Sequence, residues 1–194
     1  MAAGRVCTGY SKPYVAVYSE SSGTVTYTGG MRLGRGVSVS LDIDAADDNT
    51  FYADNVAAES ASGVFGGGSG TFTIDGLKRD AERLIYGIPA ADSDGMIHYG
   101  DSMTIPYVGI GYIKRYMEDG VTTYVPVILR KAKFQTVGDD AATQEEEINW
   151  QTQELTAKLF RDDTTNHDWR LIGDEETTEA AAEAIIRTQL GITA

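Results

Sequence analysis

One eight-residue segment alternates apolar and polar side chains, and it constrains the fold more than any other part of the chain. Its aliphatic residues are Val37, Val39, Leu41 and Ile43, and its polar residues are Ser38, Ser40, Asp42 and Asp44. Because successive side chains of a β-strand point to opposite faces, a period of two predicts a strand with one buried and one solvent-exposed face. We therefore expect a fold built on a sheet that is covered on one side.

A first hairpin is predicted near the N-terminus. The β-forming runs 14–19 (YVAVYS) and 24–28 (TVTYT) are separated by Ser-Ser-Gly at 21–23, and short turn segments between two such runs are typical of hairpins. Residues 1–13, which precede it, are polar and contain glycine. We expect them to form an extended arm or a frayed end.

A second, longer hairpin is predicted in the middle of the chain. The runs 105–117 and 121–135 flank Glu-Asp-Gly at 118–120, and Asp-Gly between β-forming runs is a strong hairpin signal. Apolar residues occur in both phases of these runs, so we expect parts of the hairpin to be covered on both faces. Either it lies inside the fold, or another subunit covers its second face.

Two segments have the period of an amphipathic helix. Residues 77–86 carry one apolar stripe and end before Gly87 and Pro89, and residues 178–190 carry a second stripe that ends at Gly191. The segment 144–161 is ambiguous. A strand with a bulge near Gln153 explains its apolar pattern better than a helix, and residues 168–173 are predicted to form a short strand.

These elements predict a mainly β (α+β) fold with one flanking helix and a C-terminal helix. We divide the chain into an N-terminal arm (1–13), a β-domain (14–173) and a C-terminal helix or arm (174–194). The segment 45–70 is a long excursion between strands, and such loops are usually functional or disordered. Its last part, Gly-Gly-Gly-Ser-Gly at 66–70, is predicted to be a flexible turn or hinge.

Charge and composition disfavour several classes of function. The formal net charge of −13 disfavours a protein that grips nucleic acid by its phosphates or docks on anionic membranes. A single cysteine, Cys7, allows no intrachain disulfide. Residues 1–8 lack the apolar core of a signal peptide, and the sequence has no run of about 18 apolar residues, so neither an export signal nor a membrane span is expected.

The sequence contains no recognisable catalytic set. It has no phosphate-binding loop and no nucleophile elbow, and its two histidines, His98 and His167, are far apart. The acidic residues around Asp42–Asn49 resemble a calcium loop but lack the glycine at the sharp turn and a glutamate at the bidentate position. We therefore assign no catalytic, cofactor or metal residues and predict that the protein is not an enzyme.

The order of several segments resembles the major tail protein, or tail tube protein, of long-tailed bacteriophages with non-contractile tails. The alternating strand leads into Asn-Thr-Phe-Tyr-Ala-Asp-Asn at 49–55, then Gly-Thr-Phe-Thr-Ile-Asp-Gly-Leu at 70–77. Pro-Tyr-Val-Gly-Ile-Gly-Tyr at 106–112 and the run 124–134 are similar to the central hairpin of that family. The resemblance covers residues 14–172.

The resemblance implies a β-sandwich or partly closed barrel whose copies form hexameric rings stacked into a tube for DNA ejection. It implies a virion location in the phage tail, after synthesis in the host cytoplasm. The partners would be other copies, a tape measure protein and a tail terminator, with viral DNA passing unbound. Asp42 and Asp44 lie on the solvent-exposed face of the alternating strand, which makes them candidates for the lumen lining. Candidates for a ring-stacking loop are Asp47, Asp48, Phe51, Tyr52, Asp54 and Asn55.

Two alternatives remain open from the sequence, and a third, a small hydrolase, is disfavoured by the missing nucleophile–base set. One is another tube-forming virion protein or a tail terminator. The other is a carbohydrate-binding β-sandwich module, since exposed members of the 11 tyrosines and two tryptophans can stack on sugars. Self-association separates them, because a binding module stays monomeric at high concentration and a tube subunit polymerises.

Overall fold

The computed structural model describes residues 4–45, 49–53, 56–61, 65–136, 138, 143 and 150–193. The protein is mainly β, with 51% of its residues in strands, and its described residues include two helices. The strands are β1 (Val6–Ser21), β2 (Thr24–Arg32), β3 (Gly36–Ala45), β4 (Asn49–Ala53), β5 (Val56–Ala61), β6 (Phe65–Ile74), β7 (Val108–Glu118), β8 (Val121–Phe134), β9 (Gln153–Phe160) and β10 (Arg170–Ile172). The helices are α1 (Arg79–Tyr86) and α2 (Glu179–Gln189).

Eight strands form one antiparallel sheet with the order β2-β1-β7-β8-β9-β6-β3, and β10 pairs with β8. The two edge strands, β2 and β3, are consecutive in the chain and are joined by residues 33–35 only. Six strand spacings of a flat sheet would span about 29 Å, whereas so short a connection reaches about 14 Å. The sheet must therefore curl, and it forms a partly closed barrel whose edges do not join.

The interior of the curled sheet holds the larger core. It is closed by α1, whose Ala81, Ile85 and Tyr86 belong to one cluster with the buried apolar residues of five strands, β1, β6, β7, β8 and β9. Gly87 ends α1 in the left-handed conformation (φ 61°) and donates its N–H to the carbonyl of Arg83, as the sequence predicted. The fully buried members with the largest side chains are Leu33, Phe72, Ile74, Ile85, Ile110, Tyr112, Leu129, Phe134 and Leu155.

A second core lies on the outer face of β1, β7 and β8 beneath α2. Ala182 and Ile186 of the helix, with its C-cap residue Leu190, pack there against Ile113 and Ile128. Both faces of the central hairpin are therefore covered over the part away from its turn, and the chain's own C-terminal helix covers the second one. Of the two explanations left open by the sequence, burial within one fold accounts for the pattern here.

Both predicted hairpin turns are confirmed. Ser22 and Gly23 connect β1 to β2 with φ angles of 53° and 76°, and Asp119 and Gly120 connect β7 to β8 with φ angles of 47° and 81°. Positive φ at both central residues is the signature of the type I′ turn, whose twist matches that of antiparallel strands.

The ambiguous segment is a strand where the structure describes it. In β9, Leu155, Ala157 and Leu159 are buried, and they alternate with residues that are exposed or partly exposed. A helix through residues 153–160 is excluded. The suggested bulge at Gln153 is not present, because β9 begins at that residue and pairs with β6 in an unbroken register.

Two sequence interpretations are wrong. Residues 6–13 are not a free arm; they form the first half of β1 and pair with β7. Residues 66–70 are not a hinge; they lie in β6 between β3 and β9. In both segments backbone pairing overrides weak side-chain propensity. Gly68 also has a packing reason, because a Cβ there would lie 2.5 Å from the carbonyl oxygen of Asp42.

Candidate assembly surfaces

The edge strand β3 is only partly covered on its apolar side. Val39 and Leu41 are half-buried, whereas Val37 is 54% exposed and Ile43 is 38% exposed. The predicted buried face is therefore wrong at both of its ends. Alternation determines which side chains share a face, but an edge strand has a neighbour on one side only, so part of that face stays uncovered.

Asp42 and Asp44 are exposed, as the sequence predicted. They lie on the polar face of β3, where Ser38 donates a 2.9 Å hydrogen bond to Thr73 on β6. Among the described residues neither carboxylate has an ion pair or a hydrogen bond. Their role as a lumen lining stays a prediction.

The face that carries these carboxylates continues across three more strands and becomes basic. Asp42 lies opposite Ser69 on β6, Ser69 opposite Lys158 on β9, and Lys158 opposite Lys133 on β8. Directly opposed residues of neighbouring strands project from the same face. We call Lys133 and Lys158 the basic pair. The face is therefore acidic at its edge and basic further in, and it is not uniformly negative.

The sequence reasoning missed the basic pair. One signal was present in β8, where Lys131 and Lys133 alternate with the buried Ala132 and Phe134. That alternation predicts outward-facing lysines. Their juxtaposition with Lys158 depends on the pairing of β8 with β9, which no local pattern specifies.

A shallow open groove separates the acidic edge from the basic pair. Its volume is about 450 Å³, and its lining includes Asp44, Ser69, Lys158, Phe160 and the glycines at 66–68. The floor between the two charged groups consists of glycine and hydroxyl side chains, so no bulky residue of β6 blocks access to it.

Lys131 differs from the basic pair because it has an acidic partner. Its ammonium group lies 2.5 Å from a carboxylate oxygen of Asp163 and 4.7 Å from the ring centroid of Tyr107. Of these two partners, Lys133 has only the Tyr107 ring, whose centroid lies 5.4 Å from its ammonium group. Hydrogen bonds from Lys131 and Tyr18 hold the pKa of Asp163 below its usual range.

The turn 161–168 is fixed to the sheet by a buried ion pair. Asp162 is buried, and its carboxylate accepts hydrogen bonds from Arg130 at 2.8 Å and from the Thr164 hydroxyl at 2.7 Å. Burial favours the neutral acid, but the bonds from Thr164 and Arg130 outweigh it and keep the Asp162 pKa below its usual range. This pair has a structural role.

Two carboxylates of α2 accept hydrogen bonds from side chains of β1. Glu183 accepts hydrogen bonds from Lys12 and, at 2.5 Å, from the Tyr14 hydroxyl, and Glu179 accepts one from Ser11. Burial raises the Glu183 pKa, but Lys12 and Tyr14 outweigh this and lower it. Thr178 caps the helix by accepting the N–H of Ala181 at 3.2 Å. The C-terminal helix therefore packs on its own subunit.

The candidate stacking segment is partly described. β4 and β5 form a separate two-stranded hairpin in which Phe51 lies opposite Glu59 and Tyr52 opposite Ala57. Asp47, Asp48, Asp54 and Asn55 lie outside the described residues. The stacking role of the segment stays a prediction.

The two histidines lie in different loops of the described structure. His98 contacts Asp92 at 2.7 Å in an exposed loop, and His167 lies in the turn after β9 near the carbonyl of Asp162. In that same part of the chain, no three His, Cys, Asp or Glu side chains converge as metal ligands, and no helix there is long and apolar enough to cross a membrane.

Comparisons with known proteins do not place the chain in a family. No family model matches it, and no curated protein matches it.

Proposed function

We propose that this chain is a structural subunit of a bacteriophage tail tube, which assembles as stacked hexameric rings around a channel for DNA. The observation that carries the proposal is an open sheet with two unpaired edge strands, β2 and β3, in the described part of the chain. Unpaired edges are templates for pairing with another chain, and a closed ring of subunits removes them. The segment order described above provides the link to tail tubes.

The charge of the chain supports passage of DNA without retention. A net charge of −13 per subunit repels phosphates, and attraction at many phosphates would hold the genome in place. In this proposal the protein is located in the phage tail, and its partners are other copies, a tape measure protein and a tail terminator.

The test is the assembly state of the purified chain. We expect concentrated protein to form rings and tubes in negative-stain electron micrographs, with a mass by light scattering that rises with concentration. A monomer at every concentration would contradict the proposal. Short capped assemblies without long tubes would favour a tail terminator instead.

The stacking role of the hairpin β4–β5 is tested separately. Deletion of residues 51–60 should leave monomers or single rings, because the hairpin is the candidate contact between rings. Circular dichroism and thermal unfolding of the deletion variant control for loss of the sheet. Normal long tubes from a folded deletion variant would refute the stacking role.

Tyr107 does not offer the open platform that a carbohydrate-binding module would need. Tyr107 is 39% exposed, but the ammonium groups of Lys131 and Lys133 lie over its ring, and Phe160 packs against it edge-on. A sugar-stacking platform needs an open ring face.

A further inference from the structure

The basic pair has no internal explanation in the described chain. Lys133 and Lys158 lie directly opposite each other on neighbouring strands, and like charges in this position destabilise a sheet. Among the described residues neither lysine forms an ion pair, whereas the nearby Lys131 does. Two adjacent ammonium groups that have no ion pair within the described part of a chain of net charge −13 are a feature that an anionic partner would account for.

The same face also carries the negative charge of Asp42 and Asp44. Within one subunit these carboxylates do not reach the basic pair. Asp42 is separated from Lys158 by one strand and from Lys133 by two. With neighbouring strands about 4.8 Å apart, the corresponding backbone separations are about 10 Å and 14 Å. No ion pair joins these groups within the chain among the residues described.

We propose that the acidic edge, Asp42 and Asp44, of one copy binds the basic pair, Lys133 and Lys158, of the next copy. The partner is a second copy because the charges on the two parts of the face are complementary and neither part has an oppositely charged partner among the described residues. This inference rests on the proposed self-assembly and names the contact that carries part of it.

The contact joins two parts of the same face, the acidic edge of one copy and the basic pair of the next. A head-to-tail repeat of it is heterologous and generates rings or filaments, as the proposed tube requires, whereas a two-fold arrangement that makes both contacts at once closes as a dimer. The glycine and hydroxyl floor of the groove allows the edge of the next copy to approach the lysines.

This contact assigns Asp42 and Asp44 a role different from the lumen lining predicted by the sequence resemblance. A lumen carboxylate contacts no other subunit, so its reversal leaves assembly intact. An interface carboxylate is needed for assembly. The same substitutions therefore separate the two roles.

The first experiment is a charge swap followed by light scattering and electron microscopy. One variant carries Asp42→Lys with Asp44→Lys, and the other carries Lys133→Glu with Lys158→Glu. Each variant alone replaces attraction by repulsion at every contact, and we expect its self-association to weaken at least about tenfold. A mixture of the two variants should assemble, because the lysine edge of one meets the glutamate pair of the other.

Two further variants control for net charge. Asp101→Lys with Asp174→Lys, and Lys78→Glu with Arg79→Glu, change the charge by the same amounts at exposed positions outside this face. They should assemble like the unsubstituted chain. Raising the salt concentration should weaken assembly of the unsubstituted chain more than that of a variant with neutral Asn and Gln at the four positions.

The second experiment is a disulfide between copies. In a Cys7→Ser background, an Asp42→Cys chain and a Lys158→Cys chain carry different tags. An intrachain bridge is not possible in a chain with both substitutions, because about 10 Å between backbones exceeds the roughly 7 Å limit for a disulfide. A cross-linked product with both tags supports the contact.

The outcomes distinguish this inference from the proposed function. Normal tubes from both charge-swap variants, or a mixture that fails to assemble, would overturn the contact while leaving the tube intact. A closed dimer that depends on these charges would retain the contact and refute the tube. An unsubstituted chain that stays monomeric would refute both.

Discussion

Docking of α2 on the sheet depends on a glycine in β7, and one methyl group at that position should disturb it. A Cβ at Gly111 would lie 2.4 Å from Cγ2 of Ile186 and 3.2 Å from Cδ1 of Leu190. Carbon atoms in contact are normally about 3.5–4.0 Å apart. Ile186 is fully buried, so the Gly111→Ala change requires the helix to move by about 1 Å or Ile186 to leave its rotamer.

The expected loss of stability is about 1–3 kcal/mol, the usual cost of overpacking a filled core. Backbone strain is not the cause, because Gly111 is absent from the positive-φ glycines. Alanine in a strand is otherwise favoured over glycine by about 0.5–1 kcal/mol. Any measured loss therefore reports the contact between β7 and α2.

A double-mutant cycle identifies that contact. Ile186→Ala alone should cost about 2–5 kcal/mol through the cavity it leaves. The double variant Gly111→Ala, Ile186→Ala should cost less than the sum, because removal of the isoleucine side chain makes room for the new methyl group. The assay is urea unfolding followed by circular dichroism, with the non-contacting Gly100→Ala variant as a control.

Two results would refute this reasoning. The first is a Gly111→Ala variant as stable as the unsubstituted chain. The second is strict additivity in the cycle, which would mean that α2 does not rest on β7.

Three further predictions concern the core and the ion pairs. Phe72→Ala should lower the free energy of unfolding by about 3–5 kcal/mol, because Phe72 is fully buried in the barrel interior; urea unfolding measures this. Asp162→Ala should cost about 3–5 kcal/mol by leaving Arg130 unpaired, and adding Arg130→Met should recover part of the loss in the same assay. The lowered Glu183 pKa contributes stability above its ordinary value of 4.5, and this contribution is lost as the pH falls through the folded-state pKa. Thermal unfolding between pH 6 and pH 3 should therefore show a smaller acid-induced loss in Glu183→Gln than in the unsubstituted chain; an equal loss in both would assign the acid dependence to other carboxylates.

The strand and helix content of this chain could be predicted from local signals. Each of these signals involves residues that lie within one turn or one strand of each other. They are the two hairpin turns at Ser22-Gly23 and Asp119-Gly120, the end of α1 at Gly87 and the apolar stripe of α2. Local sequence determines such features because backbone conformation and side-chain period act over a few residues.

The candidate contact surfaces could be predicted only in part. Exposure of Asp42 and Asp44 followed from alternation, but exposure of Val37 and Ile43 followed from the place of β3 at the sheet edge. The sequence does not specify that place, because the order of strands in a sheet is determined by long-range pairing.

By itself the sequence determined a mainly β chain with two helices, a strongly negative charge and no recognisable catalytic set. Only the tertiary structure decided that residues 6–13 and 66–70 belong to strands. It also decided that α2 covers the second face of the central hairpin and that Lys133 lies opposite Lys158. Each of these features arises from residues distant in sequence. Their proximity depends on how strands pair and how a helix packs, and local side-chain periodicity carries no information about either.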